Sequence, residues 1–270
     1  MSGRRAPRIA LVGWGAIATS VARLLAAEGS PARIVAVAVR DPGRPRDGLP
    51  EGARLIAGPE ALAGTGADLV VEAAGRASVA PWARAALGAG IDCAVSSTSA
   101  FADAALLDEL RGLAAASGAQ LIVPPGALGG IDALAAARHM GLREVEHRIV
   151  KPARAWAGTE AETLIALDTL AEPTAFFTGT AAEAARRFPQ NANVALTTAL
   201  AGIGPDRTRV SLVADPAATL NWHEIAARGD FGTLDVRIAN APLPDNPKSS
   251  AMTALNLARM IGNRAAALVI

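Results

Sequence analysis

Residues 8–41 read RIALVGWGAIATSVARLLAAEGSPARIVAVAVRD, and this stretch decides the fold. Arg8–Val12 is a short apolar run of strand character. Gly13-Trp14-Gly15-Ala16-Ile17-Ala18 follows, and a helical pattern then continues to about Glu28. Arg33–Val39 is a second buried strand, closed by Arg40-Asp41-Pro42. A strand, a glycine turn, a helix and a strand in this order form a Rossmann-type nucleotide unit. Gly13 permits the tight turn, Gly15 lets a pyrophosphate approach the backbone, and small Ala18 lets helix and strand pack closely. The start of the helix then faces the anion with its free N–H groups. G-x-G-x-x-A alone is a common pattern; its place between strand and helix, before an acidic position, makes it specific.

Working outward, strands and helices keep alternating. Asp41–Gly58 is rich in Pro, Gly and Arg and reads as a loop, with a short helix starting near Pro59–Leu62. Ala67–Ala73 is a third strand, and Ser78 is placed to cap a helix through about Leu87. Ile91–Val95 leads to the polar cluster Ser96–Ser99, which suits a cofactor loop. Asp103–Ala116 is an amphipathic helix, and Gln120–Val123 is a further strand. Such alternation implies a parallel sheet with helices on both faces, and ligands bind beyond its C-terminal strand ends. Near residue 125 the pattern changes. Ile131–Met140 reads as a helix, Val145–Val150 as an alternating strand, Lys151–Trp156 as an extended loop, and Glu160–Leu170 and Ala181–Arg187 as helices. A small-residue helix, Val194–Ala201, precedes three strands at Thr208–Ala214, Leu220–Arg228 and Gly232–Ala239 whose short turns suggest antiparallel pairing. The expected architecture is α/β: a Rossmann-type parallel-sheet domain over residues 1–126, then a smaller α+β domain with a mixed or antiparallel sheet over 127–246. A last helix, 247–262, is free to return to the first domain.

Composition narrows the function. The chain has 270 residues, 51% hydrophobic, and a net charge of +1 without a basic run, which argues against nucleic acid as a partner. No apolar stretch reaches the length of a membrane span, and no signal-peptide pattern precedes the first strand. With one cysteine, Cys93, no internal disulfide is possible, so a cytoplasmic location is expected. Lysine occurs only at Lys151 and Lys248 and arginine supplies all other basic residues. A lysine retained against that bias points to a use for a compact ammonium.

Among candidate chemical groups, Arg40-Asp41 lies where an adenosine ribose is expected. A carboxylate there favours NAD and a guanidinium the 2′-phosphate of NADP, so both cofactors stay open. His223, in Asn221-Trp222-His223-Glu224-Ile225, shares a strand face with Asn221 and Ile225 and can move protons near neutral pH. His139 and His147 read as surface residues. Cys93, inside a strand, reads as core packing rather than a nucleophile. No metal-ligand pattern occurs.

Taken together, the motifs resemble the L-aspartate dehydrogenase family. The resemblance rests on Gly13-Trp14-Gly15-Ala16-Ile17, Val71-Glu72-Ala73-Ala74, Pro125–Asp132, Lys151-Pro152 with Ala155-Trp156, Phe188–Ala195, Asn221–Ile225 and Asn246–Ser250, in that order along the chain. Ala153 and Ser249 depart from the family pattern, where proline and threonine are expected. The resemblance implies an NAD- or NADP-dependent enzyme, often a homodimer, that interconverts L-aspartate with oxaloacetate and ammonia through iminoaspartate. In some organisms that imine feeds NAD biosynthesis. It also implies that His223 is the catalytic acid/base and that Ala127 and Asn193 contact the cofactor; the glycine turn and the strand ends add Gly13, Gly15, Ala16, Ile17, Arg40, Asp41, Ala73, Ala74 and Gly75. A dicarboxylate needs cations and N–H or O–H donors, for which Lys151, Lys248, Asn193, Ser249 and Ser250 are the candidates. The alternatives are a related reductase of another small carbonyl or imine substrate, such as a homoserine dehydrogenase, and a non-catalytic NAD(P)-binding sensor.

Overall fold

A computed structural model describes residues 6–270, except the side chains of Gln190, Pro247 and Lys248. The chain divides into two compact units, 1–124 with 243–270, and 125–242.

The first unit is built on a six-stranded sheet of order β3-β2-β1-β4-β5-β6, parallel at every pairing. Its strands are β1 (Arg8–Val12), β2 (Arg33–Ala38), β3 (Arg54–Ile56), β4 (Leu69–Glu72), β5 (Asp92–Val95) and β6 (Leu121–Ile122). They are short, apolar runs because a parallel sheet covered on both faces has no wet side. Helices α1 (Ala16–Ala27), α2 (Arg76–Gly88) and α3 (Ala104–Ser117) connect them. Asp103 caps α3 by accepting from the N–H groups of Ala105 and Leu106, and Gly118 ends it in the left-handed conformation.

The second unit holds a five-stranded mixed sheet of order β11-β10-β7-β9-β8. Here β7 is Leu142–Pro152, β8 Thr174–Thr180, β9 Arg209–Asp215, β10 Asn221–Gly229 and β11 Gly232–Asn240. On β7, Val145, His147 and Ile149 are buried, and Glu144 and Glu146 are exposed. The helices are α4 (Ile131–Ala137), the single turn α5 (Ala161–Leu164), α6 (Ala181–Arg187) and α7 (Ala192–Ala201). Leu128, Ile131, Leu134, Val145, Ala201, Ile225 and Ala227 form one buried cluster beneath the sheet. Small side chains let α7 bury most of its circumference against its neighbours. After β12 (Pro242–Leu243) and β13 (Asn246–Ser250), helix α8 (Ala251–Asn263) belongs to the first unit, where Leu257 and Ile261 join the core of Ile9, Leu11, Val21 and Val37.

Several local expectations are corrected. Residues 54–56 form β3 inside the expected loop, and 174–180 form β8, where proline and phenylalanine had suggested a loop. Helix α2 starts at Arg76 after Gly75, so Ser78 lies in its first turn and is not its cap. Lys151 and Pro152 continue strand β7, and within 160–170 only the α-helical turn Ala161–Leu164 and the 3₁₀ turn Leu167–Thr169 form. Residues 246–250 are extended rather than helical, and Ser250 Oγ caps α8 by accepting from Met252 N–H at 3.2 Å. Of the last three strands, β10 and β11 pair antiparallel, whereas β9 pairs parallel with β7 and not with β10. The long β7 strand takes the central place, and local turns do not reveal such insertion.

Candidate active site

The first unit carries a cavity of about 790 Å³ beyond the C-terminal ends of β1, β2 and β4, within the size range of cofactor pockets. Gly13 has φ +95°, and a Cβ there would stand 2.9 Å from Ala74 Cβ, so glycine is required where the two turns meet. At Gly15 a Cβ would meet nothing within 4 Å, and no side chain caps α1. The backbone N–H groups opening α1 are therefore available to an anion, and the cradle fits a pyrophosphate.

Glu72 holds the wall of this cavity. It ends β4 with no exposed surface. Its Oε1 accepts from the N–H groups of Ala74 and Gly75 at 2.9 and 2.8 Å, and Ser78 Oγ and Ser97 Oγ lie at 2.8 and 3.0 Å. Its Oε2 accepts from Ser97 N–H at 3.0 Å. One carboxylate thus ties the turn after β4 to the turn after β5 and to the start of α2.

Of the residues expected at the cofactor, Gly13, Gly15, Arg40, Ala73, Ala74 and Gly75 line the cavity. Ala16 and Ile17 instead pack on the core beneath. Asp41 is not in the lining; its Oδ1 accepts from Gly43 N–H at 3.0 Å and closes its own turn. The Ser96–Ser99 cluster also stays out of the lining, with Ser97 engaged by Glu72. Residues not foreseen in the lining are Trp14, Arg46, Arg76, Ser78, Pro81 and Trp82. Arg46 Nε is buried with no hydrogen-bond partner. Among the described residues, Arg40, Arg46 and Arg76 are the charged residues that line the cavity, and the Glu72 carboxylate stands behind its wall. Cys93 is fully buried, and desolvation pushes its thiol up to about 12, which makes it inert packing.

In the second unit, a polar cluster sits on the buried face of the sheet. His223 on β10 is 4% exposed and His147 on β7 is 1% exposed. The expectation that His147 lies at the surface is thus overturned: it shares the inward phase of Val145 and Ile149. His147 Nε2 is 3.2 Å from His223 Nδ1, and Thr198 Oγ1 on α7 is 2.9 Å from His147 Nδ1. At the end of β7, Lys151 Nζ donates to Asn191 Oδ1 and lies 5.1 Å from the centre of the Trp156 ring. Burial pushes the Lys151 ammonium down to about 8. Burial, reinforced by the charge of Lys151, pushes His223 down to about 3, and burial beside His223 keeps His147 well below its ordinary value. At neutral pH both imidazoles are neutral, so His223 stands as a base beside a cation.

Ala127 O accepts from Asn240 Nδ2 at 3.0 Å, and Asn193 is exposed at the start of α7. Ser249 Oγ accepts from Asn246 Nδ2 at 3.1 Å, and Ser250 is spent as the cap of α8. The Lys248 side chain lies outside the described residues. Among the described residues no group of three His, Cys, Asp or Glu is placed to hold a metal, and no helix is long and apolar enough to cross a membrane.

A glycine-turn cavity in a parallel sheet, joined to a second unit with a buried imidazole and ammonium, defines an NAD(P)-binding oxidoreductase of two units. Residues 13–124 match the family model described as the NAD-binding domain of homoserine dehydrogenase, and residues 132–264 match that of the aspartate dehydrogenase C-terminal domain. An L-aspartate dehydrogenase of Brucella anthropi is 64% identical over 97% of this chain and 98% of its own length. One from Cupriavidus necator is 44% identical over 97% and 99% of the two chains. The fold resembles the crystal structure of aspartate dehydrogenase from Thermotoga maritima, with TM-score 0.77 and 23% identity over 98% of this chain and 100% of that one. The chain belongs to the L-aspartate dehydrogenase family.

Proposed function

We propose that this protein interconverts L-aspartate and water with oxaloacetate and ammonia, with NAD or NADP as hydride carrier and iminoaspartate as intermediate. The observation that carries the reading is the buried His223 imidazole beside the Lys151 ammonium on one sheet face. The bound nicotinamide supplies or accepts the hydride. Gly13, Gly15 and the start of α1 hold the pyrophosphate. In the oxidative direction His223 Nε2 takes the proton that the substrate ammonium must lose. It passes that proton to solvent, then takes a proton from the water that attacks the imine carbon, and returns it to the departing ammonia. Being neutral when empty, it begins as a base. Lys151, steadied by Asn191, pairs with a substrate carboxylate, whose negative charge relieves the ammonium of its unfavourable burial.

The adenosine end favours NADP, because Arg40, Arg46 and Arg76 offer guanidiniums to a 2′-phosphate while Asp41 is committed to its own turn. We read Lys248, Asn193, Ala127 and Ser249 as further contacts of substrate or cofactor. We also read the protein as a cytoplasmic homodimer, which light scattering would report as twice 27.3 kDa.

The deciding assay is consumption of NADH or NADPH with oxaloacetate plus ammonia. No consumption is expected with oxaloacetate alone or with aspartate semialdehyde; turnover of the semialdehyde would favour a homoserine dehydrogenase-like reductase. Binding of the nucleotide without any turnover would favour a sensor. For His223→Ala we expect turnover to fall by roughly 10²–10⁴ with cofactor affinity retained.

A further inference from the structure

His147 and Thr198 have no part in the chemistry above, yet they form a continuous polar chain with His223 on the buried face of the sheet. Thr198 Oγ1 meets His147 Nδ1, and His147 Nε2 meets His223 Nδ1. The two rings meet edge to face at 60°, with centroids 5.3 Å apart. Of the four ring nitrogens, His223 Nε2 is the one left outside this chain. We propose that His147 and Thr198 are positioning residues that hold His223 as the Nδ1–H tautomer, so that Nε2 is the atom that takes up and releases protons. The proposal rests on the acid/base role of His223 given above.

A neutral imidazole has one N–H and one lone pair, so the chain has two arrangements. In the first, His223 Nδ1–H donates to His147 Nε2, and His147 Nδ1–H donates to Thr198 Oγ1. The lone pair of His223 then stands on Nε2. Protonation there gives an imidazolium that keeps its bond to His147, so His223 can cycle between base and acid without rearrangement. In the second arrangement, Thr198 donates to His147 Nδ1, His147 Nε2–H donates to His223 Nδ1, and His223 carries its proton on Nε2. That form cannot accept at Nε2, and a proton arriving at Nδ1 must first break the bond to His147. Only the first arrangement serves the chemistry.

Register and burial favour a built device over chance contact. His147 pairs across the strands with Ile225, and His223 with Ile149, so the two imidazoles are diagonal neighbours on one face of adjacent strands. The burial that keeps His147 neutral also makes it a lasting acceptor, since a protonated His147 could not take the N–H of His223. This is the logic by which a carboxylate fixes the tautomer of a catalytic histidine in hydrolases, with a neutral orienter in place of the charge.

The test reads the tautomer directly. With only three histidines in the chain, 15N-labelled protein gives an assignable long-range 1H–15N spectrum. In the ligand-free wild type, His223 is expected protonated at Nδ1. Thr198→Val removes the acceptor for His147 Nδ1–H, so both rings should shift toward the Nε2–H form. Turnover should fall roughly 10–100-fold, with KM for the nucleotide unchanged. His147→Phe should behave alike, and His147→Gln, whose amide oxygen can reach the position of Nε2, should recover turnover to within about threefold of wild type. A wild-type His223 protonated at Nε2 overturns the proposal, as does a Thr198→Val protein with wild-type tautomer and turnover. If His147→Phe does not fold, Thr198→Val decides alone, since valine matches threonine in shape. Because the tautomer is read without substrate, its failure sinks this proposal alone. Failure of the oxaloacetate assay sinks the dehydrogenase reading and leaves the spectrum to be judged by itself.

Discussion

Lys151 offers the sharpest quantitative test. Its ammonium is buried at the end of β7, with Asn191 as hydrogen-bond partner, and burial lowers its pKa from 10.5 to about 8. The folded chain therefore releases this proton near pH 8, and the unfolded chain only near 10.5. Below pH 8 both states carry the proton, and the folded state bears the whole penalty of the buried charge. Between pH 8 and 10.5 the unfolded state binds more protons, so stability rises with pH across that window. At about 1.36 kcal/mol per pH unit, the gain is about 3 kcal/mol. Lys151→Met removes the titration. Urea denaturation of both proteins from pH 7 to 10.5 should show the wild type gaining about 3 kcal/mol more than the variant, with the difference opening above pH 8. Tyrosine is absent from the chain and Cys93 is present in both proteins, so neither confuses the comparison. The kinetic counterpart has the same midpoint: KM for oxaloacetate in the wild type should climb above pH 8, and in Lys151→Met it should be high and flat. Parallel stability curves would show that the ammonium is solvated in the folded protein. A flat wild-type KM would remove it from the substrate site.

Three further outcomes follow from the first unit. In Glu72→Gln the amide oxygen keeps the contacts of Oε1, but the NH2 group faces Ser97 N–H and strong charged bonds become neutral ones; we expect a loss of about 2–4 kcal/mol, and calorimetry should show a transition lowered by roughly 5–15 °C. The same change should weaken NADPH binding in a fluorescence titration, because the turn after β4 loses its link to Ser97 N–H in the turn after β5. Gly13→Ala forces a side chain into φ +95° and against Ala74; a loss of about 3 kcal/mol is expected, together with poor cofactor binding. For Arg40→Ala combined with Arg46→Ala, the ratio of kcat/KM for NADPH to that for NADH should fall at least tenfold, an outcome that unchanged discrimination between the two nucleotides would rule out.

The parallel-sheet unit was legible from sequence because its rules are local: apolar runs of strand length, glycine at the turn, a helix after each strand. The second unit was read less well. Lys151-Pro152 looked like a loop because proline ends many strands, but at the last position of β7 it continues one. Strand β8 was missed because its inward residues are mostly glycine, threonine and phenylalanine rather than aliphatic. The order β10-β7-β9 depends on pairing between residues about 60–90 apart, and no turn signal reports that.

The site itself shows where local reading stops. The spacing of Asp41 from the glycines points to the ribose; in the structure its side chain closes its own turn, as short acidic side chains in Pro- and Gly-rich segments readily do. Residue type alone puts His147 at the surface, but Glu144, Val145, Glu146, His147, Arg148 and Ile149 alternate so that histidine falls in phase with valine and isoleucine. Glu72 carries the same signal, as the one polar residue ending the apolar run of β4. A charged or titratable side chain in the buried phase of a strand must be satisfied by neighbours that fold brings from far along the chain. Glu72 draws on Ser97, and His147 on Thr198 and His223. Such residues are therefore better guides to a site than exposed ones of the same type, since the fold bears the burial of a polar group at every one of them and apolar packing would have served stability alone.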